Sequence, residues 1–150
     1  MPNPDLPLLF SSASTLAMIG WLMLALSPLS PRWSDRIAGA AIPLVLSVGY
    51  TALVLAFWSR ASGGFDTLPN VMALFDQPQI ALAGWVHYLA FDLFVGAWVA
   101  RTARAEGMSH LLVLPCLALT FLFGPAGYLT FTALRLARRA GAHSQMELPR

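Results

Sequence analysis

A chain of 150 residues with 57% hydrophobic and 11% charged residues has too few charges to coat a water-facing globule, which usually carries about 25%. A net charge of +2, with nine arginines and no lysine, gives no nucleic-acid-binding surface. Together with a mean hydropathy of +0.66, it points to one integral membrane domain, an all-α four-helix bundle.

The chain begins with Pro2, Pro4 and Pro7, which discourage helix before Leu8. A first apolar run, about residues 8–26, has no basic residue ahead of it, so it reads as a retained helix and not a cleaved signal peptide. Its small hydroxyl residues Ser11, Ser12, Ser14 and Thr15 allow close helix contact. Pro28 and Pro31 end it in an interfacial loop with Trp33 at headgroup level. A second span covers about residues 37–58, with Pro43 in its first turns and Tyr50 near its middle. The long loop that follows has an apolar stretch, Phe65 to Phe75, suited to the membrane surface, and Asp76 with Pro78 marks the next helix start.

The third span, about residues 80–100, carries His87, Tyr88 and Asp92. An acidic group at membrane depth costs roughly 2.5–3.5 kcal/mol, so it is kept for packing partners or for chemistry. On an ideal helix Tyr88 and Asp92 are i,i+4 neighbours, and the phenol can donate to the carboxylate. His87 lies about 140° around the helix from Asp92, so the two should not touch. The arc of Val86, Leu89, Ala90, Leu93 and Ala97 reads as the lipid face. A fourth span, about residues 110–134, contains Pro115 and the run Gly124-Pro125-Ala126-Gly127. Pro125 frees the carbonyl of Phe121, which predicts a kink or local unwinding. Arg135, Arg138 and Arg139 then bring it to an interface, and residues 140–150 form a polar tail.

Four crossings leave the arginines nearly balanced between the two sides, five against four. The Arg135–Arg139 cluster favours both termini on the cytoplasmic side. Counted by helical rise, Tyr50, His87, Tyr88 and Gly124 share roughly one depth, and Asp92 and Thr120 another. Such a belt fits an internal polar pocket, and equally fits helices satisfying one another's polar groups. The lone Cys116 forms no internal disulfide and reads as core filler. No cofactor or metal is expected, since His87 and His110 differ in depth and no His-x3-His or His-x2-Glu spacing occurs.

Trp85-Val86-His87, Asp92-Leu93-Phe94 five residues after the histidine, and Gly124-Pro125-x-Gly127 in the next span resemble the ABA-deficient, neoxanthin-synthase-like family of small membrane proteins. The close match runs from about Leu74 to Arg139. The resemblance is that of a bacterial relative, which implies a multi-pass protein of the inner membrane. It also implies an isomerase that opens an epoxide on a carotenoid or related isoprenoid to an allenic alcohol. On that pattern Asp92 is the acid and His87 the base. Tyr50, Trp85, Tyr88, Thr120, Gly124 and Tyr128 are the residues expected to line the substrate, Tyr88 on its depth and not on the family pattern. The implied partners are membrane lipid and a hydrophobic isoprenoid or carotenoid. A non-catalytic protein that binds such a ligand or assists assembly is the alternative. A small transporter is a third reading, and would need a homodimer.

Overall fold

A computed structural model of the protein describes residues 5–146, with side chains as far as Gly141. The described residues form helices α1 (Leu6–Ala25), α2 (Pro31–Arg60), α3 (Leu68–Phe75), α4 (Pro78–Ala105), α5 (His110–Phe123) and α6 (Pro125–Met146), with no strand among them. The protein is an all-α membrane bundle, and α1, α2 and α4 are long and apolar enough to cross a bilayer. Pro2 and Pro4 lie outside the described residues.

The helix starts follow from local chemistry. Asp5 accepts the Leu8 N–H at 3.2 Å at the head of α1, with a proline in the first turn. Pro31 likewise opens α2, so residues 31–36, expected as loop, are already helical. Pro43 lies inside α2 without a donor. The chain accommodates it with a π-helical turn, Ile37–Ala41, in which the Ile42 N–H reaches back to the Ile37 carbonyl. The wider turn relieves the clash of the proline ring with the preceding turn. The surface stretch around Phe65–Phe75 holds the short helix α3, capped by Thr67 at its Asn70 N–H. Helix α4 starts at Pro78 after Gln77, not from an Asp76 cap.

Helix α4 is the axis. At 28 residues it is about 42 Å long, and α1, α2 and α5 pack around it. Its arc of Val86, Leu89, Ala90, Leu93 and Ala97 is buried in the core, not turned to lipid. Trp85, His87, Phe91 and Phe94 are exposed instead. Lipid tails are as apolar as any core, so hydropathy does not separate the two faces. The small residues go inward because they let backbones approach closely.

The fourth position of the bundle is filled by a helical hairpin. Helix α5 ends at Gly124, whose backbone sits at φ +46°. Helix α6 then folds back along α5. A Cβ on Gly127 would collide with the Thr120 hydroxyl and backbone and with the Cys116 carbonyl. That contact is impossible in a straight helix, where residues 116 and 127 stand about 16 Å apart. Arg135 and Arg139 of α6 reach Glu106, just past the end of α4. With 14 residues, α5 penetrates about 21 Å and stops short of a ~30 Å hydrocarbon core. The expected kink at Pro125 is therefore a reversal. The start of α1 and the returning end of α6 lie on opposite faces of the bundle, which overturns the placement of both on one side. Arg150 lies outside the described residues.

Candidate functional site

The hairpin tip brings Phe121 and Gly124 against the middle of α4. The reversal leaves backbone carbonyls open at membrane depth, where no water can serve them. The Tyr88 hydroxyl donates to one of these, the Phe121 carbonyl, at 3.1 Å. It is the carbonyl that Pro125, lacking an N–H, leaves free. Tyr88 thus serves the break and, as its place one turn before Asp92 predicts, also interacts with the Asp92 carboxyl.

Asp92, one turn along from Tyr88, faces Gly124 so closely that a Cβ there would come within 2.7 Å of its Oδ1. Its Oδ2 is buried and has no hydrogen-bond partner. Tyr88 and Asp92 line a cavity of about 320 Å³ bounded by α1, α4 and the hairpin tip and partly open to the outside. The remaining wall is mainly apolar and aromatic, from Ala17, Met18, Trp21, Trp85, Leu89, Phe121 and Leu122. Trp85 donates its indole N–H to Ser14 Oγ at 3.0 Å and lies between the rings of Phe10 and Tyr88, with centroids 5.4 and 5.5 Å away. Trp21 meets Phe121 edge-on at 5.5 Å. One unpartnered carboxyl oxygen in an aromatic wall can hold or exchange a proton with a bound apolar molecule.

The residues expected at one site divide. Trp85, Tyr88, Asp92 and Gly124 come together. His87 points outward on another face of α4, stacked on Phe91 at 4.6 Å and beside Tyr50 at 5.2 Å. Thr120 is fully buried, donates to the Cys116 carbonyl at 2.8 Å and packs the hairpin. Tyr128 is exposed beside Trp98. None of these four lines the cavity. Ser14, Met18, Trp21 and Phe121 were not expected there. Ser14 alone carried a signal, since a tryptophan N–H at membrane depth needs an acceptor.

A second, larger opening of about 890 Å³ lies between α1 and α2. Its walls include Leu9, Leu16, Gly49, Ala52 and Ala56, its floor is Val86, and Arg60 lies at its end. Among the described residues no three of His, Cys, Asp and Glu gather into a group that could hold a metal ion.

A family model described as ABA DEFICIENT 4-like matches residues 8–131, from α1 through the first turns of α6. Neither the curated proteins nor the solved structures yield a match.

Proposed function

The chain belongs to the ABA DEFICIENT 4-like family, and from that premise we propose that it is an isomerase acting on the ring end of an epoxy-carotenoid or related isoprenoid. The family is one of carotenoid- and abscisic-acid-related membrane proteins. The observation that carries the reading is the unpartnered carboxyl oxygen of Asp92 in an otherwise apolar, aromatic cavity. The cavity suits a ring-sized end group, with the polyene leaving between α1 and the hairpin tip toward lipid.

The chemistry balances on one carboxyl group. Protonated Asp92 gives its proton to the epoxide oxygen, and the carbon–oxygen bond breaks to leave an alcohol and a cation spread along the polyene. The Asp92 carboxylate then takes a proton from the neighbouring polyene carbon, and that electron pair forms the cumulated double bond. The proton lost equals the proton gained, so no oxidant or reductant enters. Each transfer by a well-placed group is worth roughly 10²–10⁴-fold. The aromatic walls of Trp21, Trp85 and Phe121 face the developing cation. Tyr88 holds the hairpin tip, and with it the position of Gly124 against Asp92. His87, outside the cavity, has no part in this scheme.

Purified protein in mild detergent, given an epoxy-xanthophyll, should yield an allenic isomer of equal mass, and Asp92→Asn should bind the pigment without converting it. The large apolar opening between α1 and α2 favours a second reading, a carrier that binds a polyene or lipid without chemistry. A pigment that co-purifies and returns unchanged from prolonged incubation decides for the carrier.

A further inference from the structure

The reversal at Gly124 redistributes the charges of the protein. Arg32 and Arg36 begin α2, Arg101 and Arg104 end α4, and α6 carries Arg135, Arg138 and Arg139 back to that same face. The ends are tied together. Arg104 grips Asp35 with contacts of 2.6 Å to each oxygen, and Arg135 and Arg139 share Glu106. His110, at the head of α5, lies 2.9 Å from the Ala25 carbonyl at the end of α1. Among the described residues this face has seven arginines against the two acids Asp35 and Glu106. The opposite face has, among the described residues, one arginine, Arg60, against Asp5, Asp66 and Asp76. Four straight crossings would have split the arginines almost evenly.

We propose that the arginine face is a docking surface for the anionic phospholipid headgroups of the cytoplasmic leaflet, with the start of α1 on the other side of the membrane. Arg32, Arg36 and Arg138 are exposed and make no ion pair among the described residues, so their charge is available to phosphates. Trp33, 58% exposed, stands beside Arg36 at 5.9 Å, and Leu29 and Leu136 are also exposed on this face. Apolar groups interleaved with guanidinium groups suit a headgroup layer, where basic residues are drawn to an anionic surface.

Two measurements test it. In a Cys116→Ser background, single cysteines are placed by Ser30→Cys, Ser62→Cys and Gly141→Cys and exposed in intact cells to a membrane-impermeant maleimide. Only Ser62→Cys should label before permeabilisation, and all three after it. Labelling of Gly141→Cys together with Ser62→Cys would overturn the reversal, and labelling of Ser30→Cys and Gly141→Cys without Ser62→Cys would overturn the orientation. In detergent, added phosphatidylglycerol should raise Tm above the value reached with equal phosphatidylcholine. The Arg32→Gln/Arg36→Gln/Arg138→Gln variant should lose that difference, and Arg60→Gln should keep it. Equal shifts with both lipids, or a difference that survives in the triple variant, would sink the headgroup surface.

Discussion

The two halves of α4 are packed in different ways. The half from Asp92 to Ala105 is clasped by the hairpin, with Phe131 fully buried edge-on to Trp98 and Gly127 seated on the backbone of α5. The half from Ile80 to Leu89 meets, at Val86, the wide opening between α1 and α2, where Gly49 has no neighbour within 4 Å of a would-be Cβ. Tight packing holds the tip against Asp92 with the definition that proton transfer requires. Loose packing leaves room for a long apolar molecule. The reactive carboxyl lies at the boundary of the two.

The largest expected effect is at that boundary. Asp92→Asn should lower isomerisation of an epoxy-xanthophyll by on the order of 10²–10⁴-fold. Tm should hold or rise, because the change removes an ionisable group with an unpartnered buried oxygen. Undiminished turnover in a folded variant would remove Asp92 from the chemistry. Next comes a matched pair across the two halves. Gly127→Val should cost about 3 kcal/mol or more, since its side chain meets backbone that cannot yield. Gly49→Val should stay within about 0.5 kcal/mol. Denaturation of both in one detergent checks the contrast, and similar losses would abolish the distinction between halves.

Tyr88→Phe should cost about 1–3 kcal/mol by orphaning the Phe121 carbonyl inside the bilayer. Hydrogen exchange should rise at the hairpin tip before it rises in α1. The smallest effect is outside the membrane. The Arg135 guanidinium beside Glu106 holds that carboxyl below its ordinary range. Its contribution to stability is therefore complete above the unfolded carboxylate value, about 4.3, and is lost as pH falls through the lower folded value. Tm recorded from pH 7 to pH 3 should fall less steeply in Glu106→Gln than in the parent. Identical profiles would show that this tie does not hold the end of α6.

Much of this was legible in the chain itself. Long apolar runs with few charges specify membrane helices, because the hydrocarbon core admits little else. The 3.6-residue period puts Tyr88 near Asp92 and sets His87 apart, and it places these residues before any partner helix is known. Pro125 after Gly124 marks a break, since one lacks a donor and the other tolerates φ +46°. The direction of the chain after that break was not legible. It depends on Gly127 fitting against Thr120 and on Arg135 and Arg139 meeting Glu106, contacts between residues far apart in the chain. The lipid face of α4 was equally hidden, because Ala97 and Phe94 are both apolar and only their neighbours decide which is covered. Sequence thus determined the class, the helices and the place of the break. Tertiary packing decided that the break is a reversal, and so which side of the protein carries its arginines and what stands over Asp92.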